Sequence, residues 1–213
     1  TEKDVPNIFS LLDLVAIGTI ADVVKLDTNN RIIVKLGLNL IRKKQTREGV
    51  LALIEVAKRK AEQLTTTDIG FALGPRINAA GRLEDMTIGI NCLLTDNAET
   101  AKKLAEQLNE INQSRKLIET EMKEQALDLP SLKITGNTRV AYDSSFHEGV
   151  IGIVASRIKE LFYRPTIVFA DAHGQEGYIK GSGRSIPEVH LRDVLDYLHK
   201  KNPNIIVKFG GHA

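Results

Sequence analysis

The sequence predicts an α/β protein of two units joined by a long helix, and three observations carry that prediction. After Pro130, short apolar runs alternate with amphipathic stretches, as strands and helices do when they take turns. Before it, Leu104, Leu108, Ile111, Ile118, Met122 and Leu129 recur at threes and fours, the period of one helical face. Near the start, LLDLVAIGTI (Leu11 to Ile20) is apolar at almost every position. It reads as a strand buried on both faces of an α/β sheet, a pattern that a short buried helix shares.

Taken in order, Asn30 to Lys43 places Ile33, Leu36, Leu40 and Ile41 on one helical face, and Gly49 to Lys58 does the same with Val50, Leu53, Ile54 and Ala57. TTTDIGFALGPRINAAGRL reads as a capped helix broken at Gly74-Pro75, because proline does not continue the hydrogen-bond ladder. TDNAET offers Asp96 as an N-cap with Glu99 three residues on, and the helix it opens runs to Leu129-Pro130. A helix of about 30 residues spans roughly 45 Å. With Asn112 and Arg115 interrupting its stripe, it reads as a connector more than a coiled-coil zipper. RVAYD (139–143) is then a strand, GVIGIVASRIKELF a helix, PTIVFA a strand, and GYIKGSGRS a strand running into a glycine-rich turn. LRDVLDYLHK follows as a helix and NIIVKF as a last strand before FGGHA. The expected divisions are 1–95, 96–130 and 131–213.

Composition bounds the function. A chain of 213 residues, 42% hydrophobic and 26% charged, has the make-up of a folded globular protein. No apolar run approaches bilayer length, and TEKDVPN is no signal peptide. Cys92 is the single cysteine, which fits a reducing cytoplasm, and its setting in INCLL makes it a buried structural thiol. A net charge of +2 confines any nucleic-acid site to a local cluster. With aromatics at 5%, base stacking is expected to be a minor contributor.

Five stretches carry chemistry. In GTIADVVKL, Asp22 follows the apolar run, where ligand sites of open α/β sheets form. Its carboxylate suits a hard divalent ion such as Mg²⁺ or Mn²⁺; a capping or surface aspartate is the competing reading, while Asp13 reads as structural. In GPRINAAGR, Arg76 and Arg82 on either side of Asn78 form a phosphate clamp, or else an elbow paired with Glu84 and Asp85. HEGVIGIVASR presents a glycine-rich helix start suited to an anion, supplemented by His147, with Arg157 reaching a ligand or snorkelling. Gly149, Gly152 and Ala155 also let that helix lie close on a sheet. GSGRS adds Ser182, Arg184 and Ser185 as donors, and FGGHA adds Gly210, Gly211 and His212. Phosphate recognition by the second unit, a metal-capable carboxylate in the first and a cleft set by the long helix follow. One aspartate does not build a two-metal site.

The ordered series DLVAIGTIADVV, FALGPRINAAGRL, HEGVIGIVASRI, GSGRS and KFGGHA closely resembles the later motifs of the RecJ family of single-stranded-DNA-specific exonucleases, within the DHH phosphoesterase superfamily. The resemblance covers essentially the whole chain. It implies the C-terminal part of a DHH domain (1–95), a long connecting helix (96–130) and an incomplete α/β DHHA1 domain (131–213). It further implies 5′-to-3′ removal of nucleotides from single-stranded DNA with Mn²⁺ or Mg²⁺, in recombination and repair. A cytoplasmic monomer is implied, with a helicase or single-strand-binding protein as partner and no membrane. By position, Asp22 matches a metal-binding aspartate and Arg76, Asn78 and Arg82 the arginine motif beside the scissile phosphate. His147, Arg157, Ser182, Arg184, Ser185, Gly210, Gly211 and His212 fall in DHHA1 motifs facing the nucleic acid.

The departures are as informative. No Asp-His-His triplet occurs, and no paired aspartates precede Asp22. The chain is therefore expected to be an internal fragment that hydrolyses little or nothing alone. Two rivals remain at this point: a phosphodiesterase of the same superfamily acting on short oligonucleotides or cyclic dinucleotides, and a non-catalytic nucleic-acid-binding module.

Overall fold

The computed structural model describes residues 7–134 and 136–211. These fall into two units, one ending at Arg115 and one beginning at Lys116.

Within its described residues the first unit is built of helices. The apolar run expected as a strand is helix α1 (Leu12–Ala21). An apolar residue at nearly every position gives no period to read, whereas burial does: Asp13, Ala16 and Ile17 are buried while Val15 and Gly18 face out. That spacing is helical. Helices α2 (Thr28–Arg42) and α3 (Glu48–Val56) form where expected, each setting polar residues against an apolar stripe. The buried face of α2, however, is Val34, Gly37, Leu38 and Ile41, and the expected Leu36 is exposed. Asp27 caps α2, its side chain accepting from the Asn30 N–H at 2.9 Å.

Asp13 is a staple of this unit. Its carboxylate, 1% exposed, accepts from Thr46 Oγ1 at 2.7 Å and the Leu14 N–H at 2.7 Å, and pairs with the Arg47 guanidinium. It ties α1 to the loop that leads into α3. Asp13→Ala leaves Thr46 Oγ1 and the Leu14 N–H without their acceptor and Arg47 without its buried counter-charge. It is expected to cost about 3 kcal/mol, read as a lower urea midpoint at unchanged slope.

The helix expected to break at Gly74-Pro75 does not break. Helix α4 (Thr66–Asp68), opened by a capping box between Thr65 and Asp68, passes through a π-helical turn (Ile69–Leu73) into α5 (Gly74–Leu83). The wider turn takes up the proline, whose ring would otherwise crowd the carbonyl one turn back. Helix α6 (Thr87–Leu94) follows, and α7 (Ala98–Asp128) runs for 31 residues. Its N-cap is Asn97, which accepts from the Thr100 N–H at 2.8 Å, and not Asp96. Ala101, Ala105 and Leu108 of α7 are buried in the first core, Met122 and Ala126 in the second unit. Asn112 and Arg115 do not interrupt the buried side. They belong to it, with Arg115 Nη2 donating to Asn112 Oδ1 at 3.1 Å.

The second unit holds a three-stranded sheet, in the order β1 (Arg139–Tyr142), β2 (Thr166–Asp171), β3 (Ile179–Arg184). β1 and β2 are parallel, connected through α9 (Ile151–Phe162); β3 returns antiparallel, pairing Val168 with Ser182. Val154, Ala155 and Ile158 of α9 are buried, as are Ala141, Val168 and Ala170 of the strands. The short helix α8 (Pro130–Lys133) precedes the sheet, and α10 (Leu191–Lys201) follows it.

Two expectations fail here. GSGR is strand and not a glycine turn: Gly181 lies under the Phe169 ring, with an added Cβ falling 2.5 Å from Cε1, and Gly183 lies under Leu191. NIIVKF forms no strand. Its residues find no ladder partner among those described, and Ile205 and Val207 are exposed.

Candidate nucleic-acid interface

Side chains alternate across a strand, so on β3 Ser182 and Arg184, which alternate with Gly181 and Gly183, share a face. Ser182 and Arg184 both turn toward the start of α9. A Cβ added at Gly152 would sit 2.9 Å from Ser182 Oγ and 3.2 Å from Arg184 Nη2. A hydroxyl and a guanidinium thus converge on the first turn of a 12-residue helix that no side chain caps. Helix dipole, hydroxyl and fork all favour an anion at this place. The absent Gly152 side chain lets the hydroxyl and the guanidinium lie this close to the helix.

The turn leading in is held by His147, whose Nδ1 accepts from the Gly149 N–H at 3.1 Å. That bond puts the neutral ring's proton on Nε2. Beside it, Glu148 pairs with Lys180 at 3.5 Å.

Other residues singled out from the sequence are engaged elsewhere. Ser185 Oγ donates to the Val189 carbonyl at 2.7 Å and closes the turn after β3. Arg157 Nε donates to Glu119 at 3.1 Å, and its Nη1 lies 3.5 Å from Glu160. Its guanidinium is an ion-pair tie between α9 and the second half of α7, and these partners raise its pKa. Gly210 and Gly211 are exposed, with open space around them, and His212 lies outside the described residues.

In the first unit, Asp22 closes α1. Its N–H bonds back to the Gly18 and Ile20 carbonyls, and its residue is exposed. The next residue, Val23, has φ +55°, an uncommon backbone for a β-branched side chain. The end of α1 lies against the π-helical turn and α5: a Cβ on Gly74 would sit 3.0 Å from Ala21 Cβ, and one on Gly70 3.5 Å from Ile20 Cγ2. That places Asp22 next to the GPRINAAGR helix. Asn78 and Arg82, four residues apart and both exposed, share the outer face of α5.

Arg76 does not join them as a clamp. Six residues from Arg82 on one continuous helix, it projects from a different side. There Nε donates to Asn109 Oδ1 of α7 at 3.0 Å and Nη1 to the Ala72 carbonyl at 2.7 Å. Burial, with Arg59 nearby, lowers its pKa. Asn109 has no sequence signal, since it meets Arg76 across 33 residues of chain.

Among the described residues no group of three or more His, Cys, Asp or Glu is placed to hold a metal ion. A pocket of about 830 Å³ opens beside Asp13 and Arg47, and none of the candidate nucleic-acid residues lines it. Among the described residues no helix is long and apolar enough to cross a membrane.

Comparison with known proteins gives a consistent picture. Residues 136–213 match the DHHA1 domain. The single-stranded-DNA-specific exonuclease RecJ of Haemophilus influenzae is 49% identical over 223 residues, covering 100% of this chain and 38% of that protein. RecJ of Escherichia coli is 51% identical over 214 residues, covering 98% and 37%. Among solved structures, RecJ of Thermus thermophilus in complex with Mg²⁺ aligns with a TM-score of 0.84 at 32% identity, over 98% of this chain and 31% of that one. An exonuclease RecJ bound to manganese aligns with a TM-score of 0.78 at 32% identity, over 98% and 50%. The chain thus spans 37–38% of the length of these curated relatives.

Proposed function

From a chain that carries a DHHA1 domain over residues 136–213 and is RecJ-like along its length, we propose the strand-gripping part of a metal-dependent exonuclease that acts 5′ to 3′ on single-stranded DNA. The observation that carries this reading is the convergence of Ser182 Oγ and Arg184 Nη2 over Gly152 at the uncapped start of α9. A backbone phosphate there receives a hydroxyl donor, a guanidinium fork and the helix dipole together. His147 shapes the approach from the preceding turn, and Gly210, Gly211 and His212 add further donors. Asn78 and Arg82 hold the strand in the first unit, while Arg76 sets the angle of α5 against α7.

The described residues do not by themselves fit a divalent ion, which takes several oxygen ligands where Asp22 offers one carboxylate. We assign Asp22 as one ligand of a Mn²⁺ or Mg²⁺ centre completed by groups outside the described residues. Hydrolysis then requires those groups, and the chain alone is a binding part. The same reading makes the whole protein a cytoplasmic monomer of recombination and repair, working with a helicase or a single-strand-binding protein.

The test compares the intact protein with the 213-residue chain. Given Mn²⁺ or Mg²⁺, the intact protein is expected to shorten a single strand from its 5′ end and to spare a blunt duplex. The chain alone is expected to bind the strand, more weakly as salt rises, and to release no nucleotides. Nucleotide release by the chain alone overturns its assignment as a binding part. Turnover of dinucleotides in preference to long strands would move the protein to the small-substrate branch of the superfamily.

A further inference from the structure

Phe71 is the most exposed aromatic side chain among the described residues, at 84%. It stands in the π-helical turn, a local geometry that recurs at functional sites. Its place is set by packing, since the turn and the first residue of α5 are pinned against Ile20 and Ala21 at the end of α1, two and one residues before Asp22. Counting along the helix, Phe71, Pro75, Asn78 and Arg82 follow at intervals of four, three and four. They share a side whose opposite carries the buried Leu73, Ile77 and Ala80. An aromatic face, an amide and a guanidinium are thus laid out in sequence beside an exposed carboxylate.

We propose that Phe71 is a stacking platform for a nucleobase of the bound single strand, adjacent to Asp22. The inference rests on the single-strand reading given above and adds to it a base contact, where the other contacts are to phosphate. A protein surface is a less suitable occupant, because the aromatic is followed by donors at helical spacing that match a backbone alternating with bases. A stacked base needs only a π-face, so the contact is tolerant of sequence. A low aromatic content hides such a site, since one ring in the right place suffices.

The test uses Phe71→Leu and Phe71→Trp in the chain, with fluorescently labelled oligothymidylate as the probe. Leucine keeps the apolar bulk and removes the π-face. It is expected to weaken binding about 5- to 100-fold, with the melting temperature unchanged. This chain contains no tryptophan, so Phe71→Trp introduces its sole indole. That variant is expected to bind like the parent, with its fluorescence quenched as the strand saturates. A strand carrying abasic sites is expected to bind parent and Phe71→Leu alike. Parent-like binding by Phe71→Leu, an unquenched indole at saturation, or a lowered melting temperature in Phe71→Leu each overturns the stacking role. Failure of the parent itself to bind the strand overturns the single-strand reading instead, so the two failures are distinct.

Discussion

Gly49→Ala is expected to abolish cooperative folding of the first unit. Gly49 sits in the first turn of α3, and an added Cβ would penetrate the Cys92 carbonyl oxygen and lie 2.6 Å from its carbon. The obstacle is backbone at the end of α6, so no side-chain rotation relieves it. The Cys92 thiol, its pKa pushed up to about 11 by burial, fills the same contact from the other side, 3.9 Å from the Gly49 carbonyl. Helices α3 and α6 would have to separate, exposing Val50 and Leu53, both at 0% accessibility. Ordinary overpacking costs about 1–3 kcal/mol, and a clash with fixed backbone exceeds it. Against a total stability of about 5–15 kcal/mol, little folded protein remains. Circular dichroism in urea reads this as an early, broad transition. The control is Gly18→Ala: that residue is helical, exposed and has nothing within 4 Å of its missing Cβ. It is expected to gain roughly 0.5–1 kcal/mol. A folded Gly49→Ala protein with an unshifted midpoint would refute the packing described for α3 and α6.

The second large effect falls on binding and spares the fold. In Gly152→Ala the new methyl meets Ser182 Oγ at 2.9 Å and Arg184 Nη2 at 3.2 Å, both at the ends of side chains free to move away. Stability should therefore stay within about 1 kcal/mol, helped by the better helix propensity of alanine. The methyl pushes the hydroxyl and the guanidinium off the positions from which they would meet a phosphate at the helix start. Losing one or two charge-assisted hydrogen bonds predicts a fall in single-strand affinity of about 10- to 100-fold. Arg184→Lys, which keeps the charge and removes the fork, is expected to lie between. Titration by fluorescence anisotropy at fixed salt measures both. Parent-like affinity in Gly152→Ala would remove α9 and β3 from the binding surface.

How much of this was legible depended on how often polar residues punctuate the chain. Helices α2 and α3 could be read because polar residues punctuate them, and strands β1 and β2 because they are short apolar runs closed by Asp143, Pro165 and Asp171. The run from Leu11 to Ile20 offered no such contrast, and its helical form is set by what packs around it and by Asp13 reaching Thr46 and Arg47. GSGRS was recognisable as donor-rich, yet its glycines looked like a turn because the partner side chains, Phe169 and Leu191, are distant in sequence. The sharing of one face by Ser182 and Arg184 became evident only with β3 paired to β2. Arg76 shows the opposite limit: its residue type suited phosphate, and a single amide on α7 took its Nε donor.

The π-helical turn at Ile69–Leu73 also works as a rotational gear. Such a turn is an α-helix carrying one residue more than its ladder requires, and each residue turns the helix by about 100°. Everything downstream is therefore turned relative to α4 by that single surplus residue, and in the resulting setting Asn78 and Arg82 emerge outward while Ile77 and Ala80 go inward. The binding face of α5 is thus fixed by a residue count made upstream of it, and a change in length there would rewire the surface without altering one of its side chains.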